Sequence, residues 1–304
     1  MTSIPHPIPY QGSKRNLAGT ILAVVTGRKV RRLYDPFAGS AALTIAAAHM
    51  GIGASFVIGD TLSPLITIWN LVLTDHDGLA SAYAKIWNGQ QDGDHGYYAS
   101  VRERFNRDGD AAALLYLLAR CVKNSPRWNR NGLFNQSEDK RRLGMRPEKM
   151  RREITGAHYL LRGKTECRAC DFEETITEAT PQDLVYMDPP WEGTSGGRDT
   201  RYHKGLQRDR VIAALESLNR RGVPWLLSYD GRCGAKTYGA PLPDELKATR
   251  MELDAGRSSQ ATLNGLEDVT VESLYVSSTL AAAKKAAARK PVQAALFSRS
   301  EATV

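Results

Sequence analysis

The sequence predicts an α/β fold in which a mixed, mostly parallel sheet carries an inserted helical segment. Short apolar runs of strand length alternate with longer stretches of helical composition. One such unit ends on an acidic residue, Asp60, about 20 residues after a turn that contains Gly39, which is the length of a strand, a helix and a second strand. A polar and basic stretch, residues 75–162, then interrupts the alternation. Together these observations indicate one sheet domain with an insertion.

The first half of the predicted sheet comes from two short runs. Residues 31–40 (RRLYDPFAGS) predict a strand that ends in a turn, and the small apolar residues 41–50 that follow have helical composition. Residues 53–59 (GASFVIG) predict the second strand. The apolar pattern that begins after Ser63 predicts a helix.

The second half of the sheet follows the insertion, within which residues 111–121 are predicted to be helical. Strands are expected at residues 166–176, 183–188, 224–229, 249–253 and 270–277, and a crossover helix at 211–221. The sheet domain is therefore expected to comprise residues 1–74 and 163–280. Residues 281–304, rich in Ala and Lys, predict a helical or frayed tail.

Composition excludes several classes of protein. The chain has 304 residues, of which 42% are hydrophobic and 24% charged, as is ordinary for a soluble globular protein. No apolar run reaches the roughly 18 residues of a membrane helix, and no signal peptide is evident. Four cysteines do not make a disulfide framework in a chain of this size. We therefore expect a cytoplasmic protein.

The positive charge of the chain is concentrated in the predicted insertion. The net charge is +8, and residues 120–152 alone contain eleven Lys/Arg and three Asp/Glu. Such a patch is what the phosphate backbone of a nucleic acid selects, since each neutralised phosphate releases counterions. A solvated helix face is the alternative for a basic run taken by itself.

Two strand ends carry residues suited to ligand binding. At Asp35-Pro-Phe-Ala-Gly-Ser40, Gly39 lets the backbone approach a ligand closely. At Asp188-Pro-Pro-Trp191, two successive prolines forbid a helix and project a carboxylate and an aromatic ring from one rigid corner. Because open α/β sheets bind ligands at the carboxyl ends of their strands, both segments are candidates for one site.

In this order the motifs resemble those of the Dam-type DNA adenine-N6 methyltransferases, over about residues 7 to 280. Pro9-Tyr-Gln-Gly-Ser-Lys14 resembles the N-terminal motif of the family, and Asp35-Pro-Phe-Ala-Gly-Ser40 its methionine-binding strand end. Asp60 lies where the acidic residue of the family holds the cofactor ribose. Arg127-Trp-Asn-Arg-Asn-Gly-Leu-Phe-Asn135 is similar to the Arg-x-Asn-x-x-Gly-x-Phe-Asn segment, and Asp188-Pro-Pro-Trp191 to the catalytic loop.

The resemblance implies a Rossmann-like, S-adenosylmethionine-dependent methyltransferase sheet with an inserted helical DNA-recognition domain at residues 75–162. The implied catalytic residues are Asp188, Pro189, Pro190 and Trp191. The implied cofactor-binding residues are Tyr10, Gln11, Gly12, Lys14, Asp35, Phe37, Gly39, Ser40, Asp60 and Asp188. The implied DNA-binding residues are Arg127, Asn129, Arg130, Asn135, Lys140, Arg141 and Tyr202, with Arg142 beside them.

The chemistry of adenine methylation agrees with these residue types. The amino group on adenine is a poor nucleophile because its lone pair is delocalised into the ring. The carboxylate of Asp188 and the backbone carbonyl of Pro189 can accept hydrogen bonds from this group and aim it at a sulfonium methyl. The base must first leave the duplex, at a cost of a few kcal/mol, and stacking on Trp191 would recover about 1–3 kcal/mol.

Some departures from the family pattern leave alternatives open. Trp191 replaces the usual Tyr, as in mRNA adenosine methyltransferases, and cytosine-N4 enzymes carry a similar loop that begins with Ser. Ala41 stands where many relatives have a third Gly, and Leu206 replaces an expected Phe. RNA adenine-N6 or DNA cytosine-N4 methylation, or a catalytically inactive DNA-binding module, therefore remain alternatives. Tyr229 and Asp230 lie at the predicted end of the neighbouring strand, where either would border the base pocket. For Tyr229, packing in the core is the alternative.

No metal is expected. Cys167 and Cys170 form a single Cys-x-x-Cys pair, and only Cys121 and Cys233 remain as further thiols, so that reduced thiols along a strand are favoured over a zinc site. Double-stranded DNA is the expected partner of a monomeric, nucleoid-associated enzyme. A cognate restriction nuclease or a defence-system partner is a further possibility that the resemblance raises.

Overall fold

The computed structural model describes residues 3–90, 95–190, 208–234, 236–257 and 269–281. Within them, eight strands form one mixed sheet in the order β3-β2-β1-β4-β5-β8-β7, with β6 paired to β5. The strands are β1 (Arg32–Asp35), β2 (Ser55–Gly59), β3 (Thr165–Arg168), β4 (Leu184–Met187), β5 (Trp225–Cys233), β6 (Lys236–Tyr238), β7 (Thr249–Arg257) and β8 (Val269–Val276). The predicted α/β class is thereby confirmed.

Five strands of the sheet run parallel, with β1 at the centre between β2 and β4. The register aligns Leu33 of β1 with Phe56 of β2 and with Leu184 of β4. Strands β6, β7 and β8 are antiparallel to their neighbours. The carboxyl ends of β1, β2, β4 and β5 therefore meet at one edge of the sheet, which is where open α/β sheets bind ligands.

Helices cover both faces of this sheet. They are α1 (Ala18–Ala23), α2 (Ala42–His49), α3 (Ser63–Thr74), α4 (His76–Asn88), α5 (His95–Asp108), α6 (Ala111–Arg120), α7 (Pro147–Leu161), α8 (Phe172–Thr175) and α9 (Arg208–Arg220). Asp75 and Asp110 begin α4 and α6 as side-chain caps, because their carboxylates accept hydrogen bonds from backbone N–H groups of the first turn. No helix in these ranges is long and apolar enough to cross a membrane.

Alternate residues along β1 enter two different cores, as the two-residue repeat of a strand requires. Leu33 packs in the larger core with residues of α2, α3, α4, α6 and α7, whereas Tyr34 packs with α8 and α9 on the opposite face. The helices of residues 75–162 thus share one continuous core with the sheet instead of forming a core of their own. The predicted domain boundaries stay a prediction.

Two expectations about the strands were wrong. The strand predicted at residues 166–176 ends at Arg168, because Asp171 caps α8 by accepting a hydrogen bond from the backbone N–H of Glu173. The strand predicted at 224–229 continues to Cys233, where it pairs with β6 on one side and β8 on the other. The predicted tail lies, beyond Ala281, outside the described residues.

Candidate active site

Three predicted site carboxylates lie at the edge where the parallel strands end. Asp35 is the last residue of β1, Asp60 follows the last residue of β2, and Asp188 follows the last residue of β4. The three strands are adjacent in the sheet, so residues far apart in the sequence come together there. Motifs that are separate along the chain thus form one continuous site.

Hydrogen bonds between backbone and side chains fix the loop that follows β1 against the residues that follow β2. The N–H of Gly39 donates to Asp60 Oδ2 (3.2 Å), and the carbonyl of Gly39 accepts from the indole of Trp69 (3.0 Å). Asp60 Oδ1 accepts from the backbone N–H of Leu62 (2.9 Å). Burial raises the pKa of Asp60 although these two N–H groups oppose the shift. Each of its oxygens has a second lone pair that can still accept from a ligand hydroxyl.

The same loop contains two residues in the left-handed conformation. Gly39 has a φ of +49° and Ala41 a φ of +47°. Glycine adopts this conformation without penalty, whereas alanine pays about 1 kcal/mol for it. The left-handed backbone conformation at position 41 therefore explains why glycine would suit this position better than the alanine present.

Asp35 is buried beneath this loop and accepts a hydrogen bond on Oδ2 from the hydroxyl of Thr44 (2.8 Å). Burial raises the pKa of Asp35 to about 7, with further upward contributions from Asp188 and Asp60 and an opposing one from Thr44. The next aromatic residue, Phe37, stacks on Phe172 with ring centroids 5.1 Å apart.

The N-terminal segment crosses the site and is bonded to two distant parts of the chain. Ser40 Oγ donates to Ser13 Oγ (2.9 Å), and the backbone N–H of Gln11 donates to the carbonyl of Asn124 (2.9 Å). The ring of Tyr10 lies against the backbone of Gly39. Gln11 and Gly12 are exposed, and Gly12 has a φ of +83°.

Lys14 ends this segment inside the site, where it contacts two carboxylates. Lys14 Nζ lies 3.0 Å from Asp188 Oδ1 and 3.1 Å from Glu272 Oε2. Burial disfavours the charge of Lys14, but the two carboxylates outweigh it and raise the pKa. Burial raises the pKa of Asp188 to about 6, with Lys14 opposing the shift and Glu272 adding to it.

Glu272 was missed by the sequence reasoning. It lies in β8, opposite Gly231 of β5 and Leu253 of β7. A carboxylate inside a strand that is otherwise apolar near its end (VTVESLYV) was the available signal, but the sequence does not reveal that Lys14 reaches it.

Beyond Asp188, Pro189 is buried and Pro190 is half-buried. Trp191 and Tyr202, predicted to contact the base and the DNA, lie outside the described residues. In the neighbouring strand β5, two residues are held by the core. Tyr229 is buried, and buried Asp230 accepts hydrogen bonds from Tyr275 Oη (2.5 Å) and Arg250 Nη2 (3.2 Å).

Residues 127–135 form a loop that projects two arginines from an aromatic base. Trp128 and Phe134 are bridged across the loop and pack edge to face at 5.4 Å. Arg127 and Arg130 are exposed, and neither forms an ion pair with any residue that the structure describes. Asn129 builds the loop, since its Oδ1 accepts from two backbone N–H groups. Asn135 is exposed at the other end of the loop.

The other predicted DNA contacts differ in their surroundings. Arg141 and Arg142 both pair with the buried carboxylate of Asp139, at 3.0 and 3.1 Å. This pairing lowers the pKa of Asp139 to about 2. Arg120 is buried and pairs with Glu138 at 3.0 Å. Lys140 is exposed. The basic stretch therefore contains both free and internally neutralised cations.

In the described ranges, no cluster of three or more His, Cys, Asp or Glu side chains has an arrangement that would hold a metal ion. Cys170 Sγ lies 3.3 Å from Thr175 Oγ1, and burial raises the pKa of Cys167 to about 12. Cys121 is buried as a free thiol.

The fold is a mostly parallel α/β sheet of the Rossmann-like methyltransferase type, in which the Gly39 loop comes first along the chain and the Asp-Pro-Pro loop second. A family model described as D12 class N6 adenine-specific DNA methyltransferase matches residues 10–257, and the chain belongs to that family. The predicted family, fold class and enzyme class are confirmed. The protein is a DNA adenine-N6 methyltransferase, so that the RNA, cytosine-N4 and inactive-module alternatives are not favoured.

Three similar proteins share about a quarter of their aligned residues with the chain. The retron Ec67 DNA adenine methylase of Escherichia coli is 27% identical over 239 residues, 76% of this chain and 80% of the relative. The type II methyltransferase M1.LlaDCHI of Lactococcus lactis subsp. cremoris is 26% identical over 253 residues, 78% and 82% of the two chains. The DNA N-6-adenine-methyltransferase of Escherichia phage P1 is 26% identical over 214 residues, 66% of this chain but 27% of that protein.

Proposed function

We propose that the protein transfers the methyl group of S-adenosylmethionine to N6 of one adenine within a specific duplex sequence, with that base turned out of the helix. This proposal rests on one observation: Asp188, the Gly39 loop and Asp60 lie at the same edge of the sheet. A carboxylate acceptor and a cofactor-binding loop within one site are what direct transfer to an amino group needs.

The residues at this edge fit the proposed cofactor. Half-buried Asp60 retains acceptor lone pairs for ribose hydroxyls, and the left-handed turn at Gly39 keeps side-chain atoms out of the space beside the loop. Tyr10 and Phe37 supply aromatic faces that attract a cationic sulfur. The other residues proposed to bind the cofactor are Gln11, Gly12, Lys14, Asp35 and Ser40. When bound, S-adenosylmethionine supplies an electrophilic methyl group and no metal is required.

The chain itself supplies the orientation of the amino group. Asp188 and the backbone carbonyl of Pro189 accept hydrogen bonds from the two N–H groups of the adenine amino group. These hydrogen bonds localise the nitrogen lone pair and aim it at the sulfonium methyl. Pro190 fixes the direction of the loop, and Trp191 stacks on the extruded base. Because an ionised Asp188 accepts these hydrogen bonds more strongly than a protonated one, its pKa of about 6 places the acidic limit of activity near that pH.

Arg127 and Arg130 are the proposed contacts with DNA, since both are exposed cations on a rigid loop. Further candidates for contact with DNA are Asn129, Asn135, Lys140, Arg141 and Tyr202. The names of the relatives, which include a retron methylase and a type II methyltransferase, favour a role in a restriction or defence system. We propose that the enzyme acts in the cytoplasm, associated with the nucleoid, as a monomer.

The test is expression in a host that lacks adenine methylation, followed by sequencing that detects modified bases. We expect N6-methyladenine at one sequence motif. Asp188→Asn is expected to lower kcat about 100-fold or more, because it removes the ionised acceptor, while S-adenosylmethionine and DNA still bind. Methylation by this variant at nearly the wild-type rate would exclude the proposed mechanism. Unmodified DNA from a folded, cofactor-binding protein would exclude the proposed substrate.

A further inference from the structure

Glu272 reaches the candidate site from the antiparallel side of the sheet. Its strand, β8, is separated from β4 by β5, and it is opposite Gly231 of β5. Its side chain is only 15% exposed. A carboxylate so placed needs a compensating charge, and Lys14 provides it at 3.1 Å.

Lys14 is shared between two carboxylates at nearly equal distances. Its side chain is 9% exposed, and its ammonium lies 3.0 Å from Asp188 and 3.1 Å from Glu272. One cation between two anions leaves the cluster with one negative charge. A simple neutralising pair would need only one of the two carboxylates, so the arrangement calls for an explanation beyond charge balance.

The sharing has a consequence for the acceptor. If Lys14 belonged to Asp188 alone, its ammonium would compete with the amino group of adenine for the lone pairs of that carboxylate. Glu272 also attracts the ammonium of Lys14, which weakens the pull of Lys14 on Asp188. Asp188 then stays oriented by Lys14 without being fully neutralised.

We propose that Glu272 is a positioning residue of the methyl-transfer reaction, which acts through Lys14 to keep the carboxylate of Asp188 oriented and available to the amino group of the target adenine. The proposal rests on the function proposed above for Asp188. Two further titratable groups face the cluster and are unchanged in its test: Asp35 at the end of β1 and Tyr186 on β4.

The experiment compares Glu272→Gln with Lys14→Met by single-turnover methylation rates from pH 5 to 8.5. In Glu272→Gln, Lys14 pairs with Asp188 alone. The acidic limb of the pH–rate profile is therefore expected to move about one pH unit lower. The rate at its plateau should fall about tenfold, whereas the cofactor and DNA concentrations that give half of this rate should change less than about threefold. Lys14→Met removes the cation, so its acidic limb should move to higher pH. Carbon-13 NMR titration of the Asp188 carboxyl in the cofactor-free protein should give the same two opposite shifts.

Glu252→Gln is the matched control, because it removes a carboxylate from the neighbouring strand β7 whose ion pair with Arg232 is exposed. It should leave the rate and the pH profile unchanged. An unchanged profile in Glu272→Gln would overturn the inference, as would a lower rate without any movement of the acidic limb, since a purely structural role predicts that result. Activity retained in Asp188→Asn would instead overturn the proposed function.

Discussion

Asp35 and Asp188 are both carboxylates at the same sheet edge, yet their surroundings suit them to different tasks. Asp35 is 2% exposed and bonded to Thr44 within the protein, whereas Asp188 is 19% exposed and faces a lysine. Burial without a cation raises the pKa of Asp35 to about 7, above that of Asp188. Near neutral pH, Asp35 is therefore protonated in about half of the molecules, while Asp188 is mostly ionised.

Asp35→Asn is expected to stabilise the protein at alkaline pH. The pKa of Asp35 is raised on folding, so its contribution to stability is complete below the pKa of the unfolded chain and declines until the pH passes about 7. An amide resembles the protonated acid and does not titrate. Relative to the wild type, the variant should therefore gain about 3 kcal/mol in unfolding free energy between pH 5 and 8.

Chemical denaturation at these two pH values measures the difference. Glu252→Gln, which changes an exposed carboxylate, should show no such pH dependence. A constant difference between Asp35→Asn and the wild type from pH 5 to 8 would show that Asp35 is ionised throughout.

At the scale of elements, the N-terminal segment joins α7 to the candidate site. The backbone N–H of His6 donates to Glu153 on α7 (2.8 Å), and Ile8 is completely buried. Gly156 of the same helix leaves space for Pro5, since a Cβ at this position would lie 2.8 Å from the proline ring. The path of Tyr10 and Lys14 through the site therefore depends on a glycine in a distant helix.

Gly156→Ala is consequently expected to destabilise the protein, by about 1–3 kcal/mol, because the proline ring must move. This sign is opposite to that of an ordinary substitution in a helix, where alanine is favoured over glycine by up to about 1 kcal/mol. Gly19→Ala in α1 is the matched control, since nothing lies within 4 Å of its added Cβ. Thermal unfolding of the two variants should show a lower Tm for Gly156→Ala and an equal or higher Tm for Gly19→Ala. An increase in Tm in both would mean that Pro5 does not pack on α7.

The elements also show what the sequence can predict. Strand ends at Asp35, Asp60 and Asp188 were predictable as neighbours, because parallel strands place their carboxyl ends at a common edge. Glu272 was not predictable as their companion, since antiparallel pairing through β5 brings it there and no local pattern encodes that pairing. The predicted strand at 166–176 failed for a local reason, the cap at Asp171, which competes with strand continuation.

At the scale of the whole molecule, the distribution of charge is more informative than its sum. The net charge is +8, and the residues between 120 and 152 carry an equal excess. Within that stretch the structure separates Arg141 and Arg142, which pair with Asp139, from Arg127 and Arg130, which are exposed on the loop. The sequence could not make this division, because it depends on which arginines reach a buried carboxylate.

DNA binding should therefore depend on salt chiefly through the arginines of the loop. Each phosphate contact that is lost lowers the slope of log K against log salt concentration by about 0.9, so that Arg127→Ala/Arg130→Ala should reduce the slope by about two if both contact phosphate. Arg141→Ala/Arg142→Ala serves as the comparison, because it removes the same charge but exposes the carboxylate of Asp139. It should lower the Tm and change the slope by less than about one. Fluorescence anisotropy between 50 and 200 mM salt separates the two cases. Equal slopes for the two double variants would show that the two pairs of arginines contribute equally to DNA binding, and that pairing with Asp139 does not withhold Arg141 and Arg142 from DNA.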